Sequence, residues 1–358
     1  MNRILRPTVP ELVAAQLREG IREGRWSECL PGVARLAVEL DVSRHTVRRA
    51  LQSLEAEGLL DGRGLGRSRG VIAQAVSIHP LRVGILTSML LTECQFKTAH
   101  VLSQIQQQLT MAGHEVFIAK KSQVELKHDV HRIVSHLLAQ PADAWIVSSG
   151  SSQLLEWCAG QTLPCLALFG RTDGLTLARS GPDKVPAYLA ATRQLIKLGH
   201  RRIVLIARHT RRHPTPGSVE RAFQAEMAAH GIRTSLYHLP DWEETPAGLA
   251  NLLKSLFHHT PPTALIIDGT AIYIAAAEFL ARRGIQVPRQ VSLISTDDEL
   301  GQVWCHQGIA HIRWDCRPVV RRVLRWVAAV RMGKPDRKII NVPAEFVTGG
   351  SIGPLYQG

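Results

Sequence analysis

Four basic residues and a threonine crowd one short stretch of the chain: Arg44, His45, Thr46, Arg48 and Arg49. Stepping about 100° per residue from Val47 gathers Ala50, Leu51 and Leu54 into one apolar stripe and puts His45, Arg48, Arg49 and Gln52 opposite it. Arginine on such a face has the chemistry to read a base edge, because its guanidinium forks onto O6 and N7 of guanine in a groove wide enough for a helix. Arg44 flanks the helix start, within reach of a phosphate or a base edge. Ser43 and Thr46 offer hydroxyls and backbone N–H groups at the positive end of the helix, where phosphates bind. A second basic set follows in Gly62–Val71, where Arg63, Arg67 and Arg69 stand among glycines that include Gly64. Arginines there suit the negative potential of a minor groove. For any one arginine a solvated face or loop is the plain alternative; the ordered combination argues against it.

Other chemistry is poorly supported. His209 with His213, His258 with His259, and His128 with His131 and His136 lack carboxylate or thiolate partners at a recognised metal spacing. The glycines at 62, 64 and 66 follow helices where a dinucleotide loop would follow a strand. Neither a nucleophile elbow, nor a phosphate loop, nor a paired acid and base is found. The expectation is a protein that is not an enzyme and takes neither cofactor nor metal.

The elements that must position the basic residues are legible from periodicity and breakers. The pattern predicts a helix from about Val9 to Trp26, a second from Val33 to Leu40 after Leu30-Pro31-Gly32, and a third that starts at an Ser43 N-cap and ends near Gly58. A short helix, a tight turn and a second helix with a basic outer face make a helix-turn-helix. Leu59–Val71 reads as a hairpin with arginines at its tip. From Leu81 the texture changes to apolar strands alternating with helical stretches, the pattern of a parallel sheet. The predicted strands are Arg82–Thr87, Glu115–Ala119, Ala144–Ser148, Cys165–Phe169, Arg202–Ala207, Ala264–Asp268 and Val291–Ser295.

Totals agree with this division. A chain of 358 residues exceeds the size of one ordinary core. The formal charge of +13 favours a polyanionic partner without identifying it. Six scattered cysteines form no disulfide framework, and neither a signal peptide nor an apolar run of about 18 residues occurs. The expected location is the cytoplasm, with no membrane partner.

Residues Val9 to Val71 resemble the winged-helix domain of the gluconate-repressor (GntR) family of bacterial regulators. The stretches that carry the likeness are Leu30-Pro31, Leu36-Ala37, Leu40-Asp41-Val42-Ser43-Arg44, Thr46-Val47-Arg48, Ala50-Leu51, Leu54-Glu55 and Glu57-Gly58-Leu59. The resemblance implies contact with double-stranded operator DNA through Arg44, Thr46, Arg48 and the wing around Gly64. One departure stands out: the family's L-P-[SA]-E-R reads Leu30-Pro31-Gly32-Val33-Ala34, which removes a DNA-contacting arginine. Arg35 or the arginine-rich wing is the candidate compensation.

Residues from about Leu81 to Pro354 resemble the effector domain of the lactose-repressor (LacI) family, which shares its fold with periplasmic sugar-binding proteins. The likeness is strongest over Ala191–Ile203 and from Gly284-Ile285-Gln286-Val287-Pro288 to Asp297-Asp298. It implies two lobes of parallel sheet and a ligand in the cleft between them, at the carboxyl ends of the strands. By the same likeness Arg221 and Asp297 are the polar ligand contacts, Trp242, Phe169 and Trp314 the aromatic ones, and Asp268 the counterpart of a family Asn-Asp pair. Arg221 could instead pair with Glu220 or Glu226, Asp297 could cap a loop, and the aromatics could be ordinary packing. The residues before Asp297 are Ser295-Thr296 in place of Gly-Tyr/Phe, Gln307 replaces a proline, and the loop Ser88–Lys97 shows no family pattern.

The expected architecture is therefore α/β: a winged helix-turn-helix over 1–72, a linker over 73–80, and over 81–358 a two-lobed periplasmic-binding-protein-like domain for effector binding and dimerisation. The expected activity is that of a homodimeric transcription regulator, a repressor controlled by a sugar-like or other small metabolite. The alternative is a DNA-binding regulator whose sensor domain is vestigial.

Overall fold

The stripe Val47, Ala50, Leu51 and Leu54 is buried as its spacing predicts, and it seeds the first core. The computed structural model describes residues 8–22, 25–26, 29–61, 69–71, 80–172, 174–213, 215–298, 304–305, 308–334 and 336–356. Leu17 and Ile21 of α1 (Val9–Arg22) and Leu36 of α2 (Val33–Glu39) close over that stripe of α3 (Arg44–Ala56), together with Leu30, Leu60 and Val71. Asp41 makes the turn between α2 and α3 with a φ of 49°, a left-handed conformation that aspartate tolerates better than most residues. The base of the predicted hairpin forms: β1 (Leu60–Asp61) pairs antiparallel with β2 (Gly70–Val71), and Cys29 bridges to Gly70. Its tip, with Arg63, Gly64 and Arg67, lies outside the described residues, as does the linker before Pro80.

The chain divides into two compact units, residues 1–80 with 328–335, and 81–327 with 336–358. In the second unit all seven predicted strands form, each within a residue or two of its expected ends: β3 (Arg82–Leu86), β4 (Glu115–Ile118), β5 (Ala144–Ser148), β6 (Cys165–Leu168), β8 (Ile203–Ile206), β9 (Ala264–Ile267) and β10 (Ser292–Ser295). Three more strands escape the sequence pattern: β7 (Ala178–Asp183), β11 (Ala310–Trp314) and β12 (Ile339–Val347). β7 carries Arg179, Gly181, Pro182 and Asp183, and β12 holds Pro343, all poor strand formers that tertiary pairing overrides.

The sheet order is β4-β3-β5-β6-β7-β12-β11-β10-β9-β8. The first half of β12 pairs parallel with β7 and the second half antiparallel with β11, so one nine-residue strand joins the two half-sheets. The remaining pairings are parallel, which requires covered crossovers and buries both strand faces. In the second lobe Val204, Ile206, Leu265, Ile267 and Leu293 meet Leu249 and Leu253 of α10 (Pro246–His259) and Ile272, Ala276 and Leu280 of α11 (Thr270–Arg282). In the first lobe Leu86, Trp145 and Val147 meet Ile133 and Leu137 of α5 (Val130–Leu138) and Leu154 of α6 (Ser152–Ala159). Gly84 is required there, because a Cβ would stand 2.4 Å from the Trp145 ring.

Leu54 has no exposed surface, so Leu54→Ala is expected to destabilise the N-terminal unit by about 2–5 kcal/mol. Val38 is 83% exposed, and Val38→Ala is expected to change stability by less than about 0.5 kcal/mol. Urea unfolding of the full chain, with hydrogen exchange read over residues 44–56, measures both.

Candidate functional site

Two places gather polar side chains, one in each unit. On α3, Arg44, His45, Arg48 and Arg49 are exposed on the face away from the core, and Thr46 is half-buried. Ser43 is the N-cap: its Oγ accepts from the Thr46 N–H at 3.1 Å and lies 2.8 Å from Thr46 Oγ1. Arg18 of α1 grips Glu57 just beyond the other end through two bonds, at 2.8 and 3.0 Å, so α3 is anchored at both ends. Arg69 does not join the tip of the hairpin; its guanidinium pairs with Glu55. Gly32 caps α2 without a side-chain bond, which is the local consequence of the departure at Gly32-Val33-Ala34.

In the second unit the carboxyl ends of the strands deliver charges toward one another, the usual position of a ligand crevice in open α/β sheets. Asp268 follows β9 and is 2% exposed. Its Oδ1 accepts from Thr296 Oγ1 and its Oδ2 pairs with Arg211 Nε, each at 3.1 Å. Burial opposes ionisation of Asp268, yet the charges of Arg211, Lys184 and Arg208 outweigh it and hold the carboxyl below its ordinary range. Asp268 in turn pushes the Arg211 guanidinium up.

Three cations of the first lobe reach acceptors of the second. Lys184, at the start of α7 (Val185–Lys197), donates to Asp297 Oδ1 and to the Thr296 carbonyl, both at 3.1 Å. Lys97, in the first turn of α4 (Phe96–Met111), pairs with Asp298 and donates to the Trp314 carbonyl at 2.6 Å, its ammonium 4.6 Å from the indole centre. Arg171, just past β6, donates to the carbonyls of Thr215, at 2.9 Å, and Arg211. Removing such charges from water costs about as much as their attraction returns, so these bridges fix geometry more than they add stability.

The sequence-predicted ligand residues separate into two groups. Asp268 and Asp297 are brought into this cluster, and Trp314 and Phe169 lie at its edge as an edge-to-face pair 5.7 Å apart. Phe169 has a φ of 63°, a strained conformation for an aromatic residue and a common mark of functional sites. Trp242 instead packs in the second-lobe core, its indole N–H donating to the Ala207 carbonyl at 2.9 Å and its ring stacked under Arg212. Arg221 is exposed and donates to the Pro216 carbonyl at 2.7 Å. Glu226 pairs with Arg193, not with Arg221.

Sequence reasoning missed Lys97, Lys184, Arg208, Arg211, Tyr188 and Glu220. A signal was present for two of them: Arg208 and Arg211 directly follow the predicted strand ending at Ala207, the end at which crevice residues belong. Glu220, in the first turn of α9 (Ser218–Ala229), is 1% exposed and its Oε1 has no hydrogen-bond partner among the described residues. Burial pushes its carboxyl up, against the pull of Arg211. A surface depression of about 540 Å³ beside α5 is lined by Lys121, Glu125, His131, Arg132 and His136. None of these is a predicted ligand residue, and the cluster at the strand ends has the stronger chemistry.

Known proteins match both units. Residues 11–66 match the family described as bacterial regulatory proteins, gntR family, and residues 192–352 match the periplasmic binding protein-like domain. The arabinose metabolism transcriptional repressor of Geobacillus stearothermophilus is 23% identical over 288 residues, covering 76% of each chain. The HTH-type transcriptional regulator AscG of Escherichia coli strain K12 is 32% identical over 111 residues, 30% of this chain and 32% of that one. Among solved structures, the transcription regulator CcpA of Lactococcus lactis superimposes with a TM-score of 0.64 at 12% identity, over 76% of this chain and all of that one. That last likeness is one of fold.

The bridge and the buried acid each lead to a measurement. Lys184 and Asp297 have side chains only 9% and 5% exposed, so Lys184→Met is expected to cost about 3–5 kcal/mol in urea unfolding by stranding a buried charge. Adding Asp297→Leu is expected to recover most of that loss. For Glu220 the raised pKa means that the ionised form weakens the fold at neutral pH. Glu220→Gln is therefore expected to raise the melting temperature at pH 7, with the gain fading as pH falls below about 4, where the unfolded carboxyl also protonates.

Proposed function

We propose that this chain, which joins a gntR-family regulatory domain to a periplasmic-binding-protein-like domain of the lactose-repressor kind, is a ligand-responsive, DNA-binding transcription regulator. The observation that carries the reading is the outer face of α3: Arg44, His45, Arg48 and Arg49 exposed opposite a fully buried stripe, with Ser43 and Thr46 at the helix start. That arrangement suits a helix laid in a major groove, with Arg48 on base edges, Arg44 on a base edge or phosphate, and the capping turn against the backbone. Arg63, Gly64 and Arg67 of the wing would extend contact to the adjoining groove.

The second unit supplies the control. An effector held among Phe169, Asp268, Asp297 and Trp314 at the strand ends would alter the bridges made by Lys97, Arg171 and Lys184, and so the geometry of the lobes. In a homodimer on a pseudo-palindromic operator, that change resets the spacing of two reading heads. Two matched relatives are named as a repressor and a regulator, the first for arabinose metabolism, which favours repression and a sugar-like effector here. A role in binding, not catalysis, and a place in the cytoplasm belong to the same reading; no helix among the described residues is long and apolar enough to cross a membrane. The second reading, a sensor that binds nothing, draws on the same bridges, since the chain's own cations already occupy the carboxylates of the cleft.

The test begins with an operator selected from random-sequence DNA by the full chain. At fixed salt, Arg48→Ala is expected to weaken binding to that operator by about 1–3 kcal/mol in a gel-shift titration. Unchanged affinity would overturn the assignment of α3.

A further inference from the structure

The cleft of the second unit offers hydrogen-bond donors in excess of acceptors, and the excess is concentrated at one corner. Gly269 caps α11 with a φ of 108° and no side chain, leaving the amino end of a 13-residue helix open. A Cβ at Gly269 would stand 3.1 Å from Arg208 Nη2 and 3.2 Å from Gln95 Nε2, so a guanidinium from one lobe and an amide from the other meet at that helix end. Arg208 Nε is buried there with no hydrogen-bond partner, and so is Thr270 Oγ1, on the first residue of α11. Tyr188 is fully buried beside Asp268 and Thr296, and its hydroxyl likewise has no partner among the described residues.

The acceptors near this corner are already engaged. Asp268 takes Thr296 on one oxygen and Arg211 on the other. Glu244 takes Arg208 Nη1 and the His209 N–H, both at 2.8 Å. Asp298 is held by Lys97, and Glu220 is pushed by burial toward its proton-bearing form. A neutral sugar hydroxyl both donates and accepts, and finds few open acceptors here; an ionised group that only accepts matches what is left over. Buried donors without partners cost roughly 1–3 kcal/mol each, which a bound anion would relieve. The helix end adds its own partial positive charge.

We propose that Gln95, Arg208, the Gly269 N–H end of α11 and Thr270 form an anion subsite, so that the effector carries a phosphate ester or a carboxylate. The inference rests on the sensor reading above and narrows it to a ligand class. The experiment is a thermal-shift titration of the full chain at matched ionic strength with inorganic phosphate, glucose 6-phosphate and glucuronate, set against glucose and arabinose. At least one of the three anions is expected to raise the melting temperature where its neutral counterparts do not, and the responding arm tells phosphate from carboxylate. Arg208→Gln is expected to weaken that response by roughly tenfold or more, while its selected operator is still bound, which shows the variant folded. An anion response unchanged in Arg208→Gln overturns the subsite. A response to the neutral sugars alone overturns the ligand class and leaves the sensor reading standing. Silence in every arm overturns both.

Discussion

A buried charge must be matched where it lies, and in this protein that constraint organises the sensing unit. Parallel strands covered on both faces leave no room for polar groups except at their ends. There Asp268, Asp297 and Asp298 are set, and Arg211, Lys184 and Lys97 come to meet them. Two of those three cations cross from the other lobe. The lobes are therefore held in register by the same groups that would handle a ligand, and any molecule entering the cleft must renegotiate these pairs. The net worth of each pair is small, because desolvation nearly cancels attraction, but the cost of breaking one from a single side is large. That asymmetry is what a ligand-sensitive device needs: an arrangement stable while complete and costly when half undone.

The reading unit works by the opposite arrangement. Its core is small and wholly apolar, and its charges face water, where pairing costs little and matters little. What fixes α3 is the apolar stripe beneath it, the Ser43 cap at one end and the Arg18–Glu57 clasp at the other. The guanidiniums of Arg44, Arg48 and Arg49 are thus presented on a rigid element without being committed to partners inside the core. The uncapped start of α2 at Gly32 shows that the departure from the usual gntR-family sequence is local, since Leu36 and Ala37 still bury as the pattern requires.

The two departures before Asp297 acquire a reason from the geometry. Ser295 Oγ donates to the Asp297 carbonyl at 2.8 Å, and Thr296 Oγ1 binds Asp268 at 3.1 Å. Where an aromatic residue would line a pocket, two hydroxyls tie the end of β10 to the end of β9. The loop Ser88–Lys97, without pattern in the sequence, ends with Gln95 and Lys97 at the cleft. Side chains that act across a cleft need no local periodicity, so nothing in their own segment announces them.

By itself the sequence determined what depends on neighbours a few residues away. The α3 stripe and its cap, the turn at Asp41 and the seven apolar strands all follow from periods of 3.6 and 2 and from capping chemistry, and all form as read. Only the tertiary structure decided what depends on residues far apart. Pairing pulls Arg179-to-Asp183 and Ile339-to-Val347 into strands against their propensity. Packing sends Trp242 to the core, where its N–H meets Ala207, and leaves Arg221 on the surface while Arg211 takes Asp268. The physical reason is that backbone preference is a local energy, whereas matching a buried charge is a property of the place where distant segments meet.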